Sequence, residues 1–91
     1  MENHRIALIR GGGDVASGVA LRLHRVGMRV LITELEQPLV IRRSVSFAQA
    51  VYSEATQVEW VTARLVNSSG SIQSAWRSGE IPVLVDPDCQ I

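Results

Sequence analysis

The sequence predicts an α/β fold: a Rossmann-like parallel sheet, the N-terminal half of a doubly wound domain, with residues 1–91 as one unit. Three observations carry that expectation. Continuous apolar runs at Ile6–Ile9 and Val30–Ile32, with a similar run in the closing "IPVLV", suit strands buried on both faces, as parallel strands are. An amphipathic stretch separates the first two runs, giving β-loop-α-β in under 30 residues. The loop itself holds three consecutive glycines, Gly11, Gly12 and Gly13, where such folds grip phosphate.

The elements follow in order. "RIALIR" is the first strand. From Asp14 the spacing turns helical: Val15, Ala16, Val19, Ala20, Leu23 and Val26 recur at three- and four-residue intervals, while Ser17, Arg22 and Arg25 lie off that stripe. Gly27 is placed to end the helix in a left-handed conformation. "MRVLITE" is the second strand, and the default crossover between the two is right-handed. Pro38 blocks its continuation. "SFAQAVY" reads as a short helix with Ser46 and Gln49 spaced as a capping box. "VEWVTARLV", residues 58–66, is rich in β-branched and aromatic residues and reads as one strand. "NSSG" is a loop, Ile72, Ala75 and Trp76 mark a helix ended by Gly79, and "IPVLVDPD" closes with a strand that tolerates Pro82 near its start.

Composition narrows the function. Nine arginines, no lysine and nine acidic residues give a formal net charge of zero, so bulk attraction to nucleic acid or to an anionic membrane is not expected. The lack of lysine removes Schiff-base and P-loop lysine chemistry from this chain. A single cysteine, Cys89, gives neither a disulfide framework nor a thiolate zinc site, and it reads as an inert thiol. The apolar run near the N-terminus is too short for a signal-peptide core or a membrane span, which leaves a cytoplasmic protein as the default. The chain stops five residues after Asp86, without a helix to cover the last strand. That ending suggests an N-terminal piece of a longer protein, or a sheet face covered by a partner in a homo-oligomer.

The glycine turn carries the chemistry. In the dinucleotide fingerprint one glycine makes the tight turn, a second lets the backbone approach a pyrophosphate, and a third lets helix pack on strand. Gly11 and Gly13 fill the first two places, Ala16 takes the third, and Gly12 and Gly18 add freedom. The helix N-terminus beyond Gly13 then offers free N–H groups and a positive dipole end to an anion. Glu34 lies 23 residues after Gly11, at the end of the second strand, where an acidic side chain binds a ribose hydroxyl and favours NAD over NADP. The alternative for Glu34 is a solvated loop residue.

Asp14 is the departure from an ordinary NAD site. It either caps the helix, competing with phosphate for the same N–H groups, or faces the cleft as a catalytic or metal-bridging carboxylate. Arg10 supplies compensating charge or faces solvent. Arg42 and Arg43, before a helix start carrying Ser44 and Ser46, form either a second anion-binding pair or a solvated surface. Asp86 ends a strand where α/β clefts open. His4 and His24 lack metal-ligand spacing, and His24 reads as a boundary residue of its helix. Trp60 and Trp76 read as core or sheet-covering residues. No metal site and no Ser/His/Asp arrangement is expected.

Longer strings add a resemblance. "RGGGDVASGVALRLHRVG" followed by "TELEQPLVIRRSVSFAQAVY", and onward through "VTARLV" to "GEIPVLVDPD", resembles the selenium-dependent molybdenum hydroxylase accessory proteins over nearly all 91 residues. Members of that family are longer, with further sequence after the aspartate-proline strand end. The resemblance implies a role in molybdenum hydroxylase and molybdenum cofactor maturation, with the hydroxylase as a partner. It supplies no catalytic residues. A nucleotide form of molybdopterin contains the pyrophosphate and ribose that the glycine turn and Glu34 would suit, and so stands beside NAD as an expected ligand. More locally, "GGGDVA" is similar to the glycine turns of the NAD-dependent domain of sirohaem synthases and of xanthine dehydrogenase accessory proteins. Three functions remain open: a nucleotide- or cofactor-binding accessory module, an NAD-dependent oxidoreductase of sirohaem-synthase type, and a non-enzymatic interaction module whose glycine turn is only structural.

Overall fold

The computed structural model describes residues 5–11, 13–35 and 46–86. Its elements run β1 (Ile6–Arg10), α1 (Asp14–Arg25), β2 (Arg29–Glu34), a 3-10 turn (Phe47–Gln49) leading into α2 (Ala50–Ser53), β3 (Ala55–Val58), β4 (Val61–Val66), α3 (Ser69–Arg77) and β5 (Ile81–Val85). The five strands form one mixed sheet in the order β1-β2-β5-β4-β3. Four of them are parallel, as the apolar runs imply, and β3 pairs antiparallel with β4.

Strand β3 corrects the sequence reading of 58–66 as one strand. Val58 ends β3, Glu59 and Trp60 make a two-residue turn, and Val61 opens β4 opposite Val58. Both turn residues have positive φ, 48° and 71°, as a primed hairpin turn requires. Such turns are normally announced by Asn-Gly or Asp-Gly. Here a glutamate and a tryptophan occupy them, so the signal is missing. Trp60 is therefore 90% exposed at a hairpin tip and covers no sheet.

The central strands are buried on both faces, but β1 is not. Ile6 and Leu8 are 58% and 48% exposed, because α3 covers β2, β5 and β4 and does not reach the edge strand. The expectation of a first strand buried on both faces fails there. On one face of the sheet, Ala20 and Leu21 of α1, Phe47 and Ala50 pack on Val30, Ile32, Ala63, Ile81 and Val83. On the other, Ile72, Ala75 and Trp76 of α3 pack on Leu31, Val66 and Leu84. Residues 30 and 32 face one layer and 31 the other, the period of a strand. Each fully buried side chain of this size contributes roughly 1.5–3 kcal/mol, so continuous apolar runs are what such strands need.

The helix α1 is rotated from the expected stripe. Val19 and Val26 are 49% and 74% exposed, whereas Ser17 and Leu21 are buried. Apolarity alone misphased the helix because Ser17 is small and satisfied: its Oγ accepts the N–H of Phe47 at 2.7 Å. That bond ties α1 to the segment returning after β2. The expected capping box at Ser46 and Gln49 is absent, since the Ser46 side chain makes no cap bond there. A capping box forms instead at α3, between Ser68 and Ser71, so the helix begins inside the "NSSG" stretch. Gly27 and Gly79 end α1 and α3 with φ of 92° and 76°, as the sequence anticipates. Trp76 is half-buried and donates its indole N–H to the carbonyl of Val30 at 2.9 Å.

Candidate functional site

The C-terminal ends of β1, β2 and β5 lie side by side and open a crevice of about 390 Å³ lined by Arg10, Gly11, Thr33, Glu34, Leu35 and Asp86. Gly11 begins its rim. At φ 89° it takes a conformation that suits glycine, and its N–H extends the ladder to the carbonyl of Thr33 at 2.7 Å. Gly13 is the N-cap of α1, extended at φ −67° and ψ −177°, with no side-chain cap. Its carbonyl accepts the first helical bond, from Ser17 N–H at 2.8 Å. Among the described residues a Cβ on Gly13 would meet no atom within 4 Å, so they leave space over the helix N-terminus.

Glu34 forms the wall of the crevice. It is only 6% exposed, and its Oε1 accepts from the N–H of Leu35 at 3.2 Å. Its carbonyl accepts from Asp86 N–H at 2.9 Å, which joins the ends of β2 and β5 and brings Asp86 to the same opening. The Leu35 N–H is one of the contacts that orient this carboxylate. Arg10 is exposed at the mouth. Among the described residues one guanidinium faces two carboxylates here, so backbone N–H groups and the α1 dipole are the crevice's described attraction for an anion.

The structure thus brings Gly11, Glu34 and Asp86 to one crevice and sets Gly13 at the head of α1. It does not bring Gly18 into use: that residue is exposed, and a Cβ there would touch nothing. Asp14 opens α1 by its backbone, while its side chain lies outside the described part of the structure, as do Gly12, Arg42, Arg43, His4 and Cys89. Thr33 and Leu35 line the crevice without having been singled out; the only signal for them was adjacency to Glu34. His24 is half-buried near the end of α1, and burial followed by the charge of Arg25 holds its pKa below the ordinary value. Among the described residues no three His, Cys, Asp or Glu side chains stand together to hold a metal ion. None of the described helices is long and apolar enough to cross a membrane.

The chain is similar to a protein of Escherichia coli K12. That relative is the uncharacterized protein YqeB, 51% identical over 88 residues. The match takes in 97% of this chain and 16% of YqeB, so the chain spans about a sixth of the length of its relative. No protein-family model matches the chain, and no solved structure matches it.

Proposed function

We propose that this chain is a Rossmann-like nucleotide-binding module of a protein that serves molybdenum hydroxylase and molybdenum cofactor maturation. The observation that carries the nucleotide reading is the shared crevice of Gly11, Glu34 and Asp86 at the C-terminal ends of three parallel strands, with Gly13 capping α1 beside it. Strands β1, β2 and β5 stand in the order of the first three strands of a doubly wound sheet, with the β3–β4 hairpin beyond them. The helix after β1 and the helix before β5 cover opposite faces, because the crossover from β4 to β5 runs along the sheet in the opposite direction to that from β1 to β2. The maturation role rests on the resemblance of the long strings around the glycine turn and on nothing else.

In this reading the unpaired N–H groups at the start of α1 hold a pyrophosphate or phosphate over Gly13, and Glu34 accepts from a ribose hydroxyl. Leu35 offers an apolar shelf for the base. NAD and a molybdopterin nucleotide both present this chemistry. Arg42 and Arg43 supply a second anion-binding pair in this reading.

The test is a calorimetric titration with NAD, NADP, adenosine mononucleotides and a molybdopterin nucleotide, on the wild type and on Gly13→Val. A nucleotide should bind the wild type and fail with the variant, with thermal melting as the check that the variant keeps its fold. No nucleotide binding, or binding that Gly13→Val leaves untouched, refutes the reading and favours a structural glycine turn. NAD as the sole ligand, with turnover of a reduced tetrapyrrole, favours the oxidoreductase reading instead.

A further inference from the structure

The end of the sheet opposite the crevice carries most of the positive charge. Six of the nine arginines lie there: Arg5 before β1, Arg22 and Arg25 in the last turn of α1, Arg29 at the start of β2, Arg64 in β4 beside the start of β5, and Arg77 at the end of α3. Among the described residues two carboxylates answer them. Glu59 pairs with Arg25 at 3.3 Å, and Glu80 takes both arms of Arg64 at 2.8 and 3.0 Å. Among the described residues Arg5, Arg22, Arg29 and Arg77 have no carboxylate partner. Helix dipoles account for arginines at the ends of α1 and α3, but not for Arg5 and Arg29, which lie on no helix.

The same end displays aromatic and apolar surface. The Arg25–Glu59 pair holds the β3–β4 hairpin tip beside the end of α1, so Trp60 and the exposed Val26 flank the charges. A groove of about 330 Å³ runs between the ends of α1 and α3, with Met28, Arg29, Trp76 and Arg77 in its walls. Arg29 stacks over the Trp76 ring at 5.6 Å, which presents its guanidinium from a fixed platform. Arg, Trp and Met are the residues enriched where proteins bind one another. Trp60 also holds φ 71°, a conformation unfavourable to a bulky side chain, and local strain of this kind collects at functional sites.

We infer that this basic, tryptophan-bearing end of the sheet is a docking face for an acidic protein segment with an apolar anchor. Four guanidiniums without a carboxylate among the described residues select carboxylates, and Trp60 with Val26 supplies apolar burial. A polyanionic nucleic acid suits the face less well, because Glu59 and Glu80 interrupt it and the chain as a whole has no net charge to draw a polyanion. The inference stands apart from the nucleotide reading, since it uses the other end of the molecule.

The test is fluorescence-anisotropy titration of the full chain with a short labelled peptide of alternating Glu and Leu, its Lys-Leu counterpart and a short oligothymidylate. The Glu-Leu peptide should bind in the micromolar range and weaken by about tenfold or more in an Arg22→Glu, Arg77→Glu double variant and in Trp60→Ala. All three positions are exposed, so these variants keep the fold, with thermal melting as the check. Failure of the Glu-Leu peptide to bind, equal binding of the Lys-Leu peptide, affinity unchanged in both variants, or tighter binding of the oligothymidylate overturns the proposal.

Discussion

The indole of Trp76 supplies to the carbonyl of Val30 the hydrogen bond that Pro82 cannot. Along the β2–β5 ladder Asp86 N–H donates to the carbonyl of Glu34, and pairing sets Glu34 opposite Val85 and Ile32 opposite Val83. Stepping back four residues on each strand brings the nitrogen of residue 82 to the carbonyl of Val30. Proline has no N–H there. The Trp76 Nε1–H reaches that carbonyl at 2.9 Å from α3, so a proline in a central strand leaves no unsatisfied acceptor.

Trp76→Phe should therefore lower stability by about 1–3 kcal/mol through the stranded carbonyl, measured by urea unfolding. The pair is testable as a cycle. In a Pro82→Ala background the backbone N–H returns, and Trp76→Phe should cost clearly less than in the wild type. Equal costs in both backgrounds would show that the indole acts by packing alone.

Two adjacent residues on α1 should respond with opposite signs. Ser17→Ala removes the acceptor of the buried Phe47 N–H and should destabilise by about 1–3 kcal/mol. Gly18→Ala adds a methyl that meets no atom, on an exposed face of a helix, and should stabilise by about 0.5–1 kcal/mol. Thermal or urea unfolding of the two variants checks both. Destabilisation by Gly18→Ala would mean that the glycine serves something beyond the helix.

How much of this was legible in the sequence depended on whether the signal was local. Strands β1, β2 and β5 were legible from uninterrupted apolar runs, and the ends of α1 and α3 from Gly27 and Gly79. Gly11, Glu34 and Asp86 could be assigned to strand ends, and parallel pairing carries strand ends to one edge. The phase of α1 was not legible, because Ser17 is buried by a bond to Phe47, thirty positions away. Nor was β3, whose turn uses Glu59 and Trp60 where glycine or asparagine would have announced it. The role of Trp76 depends on a register with Pro82 that only the assembled sheet defines.

Acid should lower stability in two stages. Burial, reinforced by Arg25, lowers the His24 pKa from its ordinary 6.5, so the unfolded chain takes up that proton first. Stability from His24 is complete above about pH 6.5 and falls as pH drops toward its lowered folded value. The Arg64 hydrogen bonds hold the Glu80 carboxyl below its ordinary 4.5, so its contribution is present above that pH and is lost as pH falls through its folded value. His24→Gln should flatten the upper part of the stability–pH curve and leave the lower part. Arg64→Gln should reduce the lower part and leave the upper, as read from urea midpoints across the acid range.

The hairpin tip sets stability against docking. Glu59 and Trp60 hold φ of 48° and 71°, where a side chain with Cβ is disfavoured and glycine is not. Trp60 gives little back, being 90% exposed, so Trp60→Gly should raise stability by about 1 kcal/mol. Glu59 is a different matter, because its carboxylate and carbonyl both accept from Arg25 and hold the hairpin against α1. If the basic end of the sheet docks an acidic segment, Trp60→Gly should also weaken the Glu-Leu peptide by about tenfold or more, a gain in folding coupled to a loss in binding. Urea midpoints and anisotropy on one preparation measure both. A variant that gains stability and binds the peptide as before makes the strained tryptophan incidental to docking and places the contact on the arginines alone.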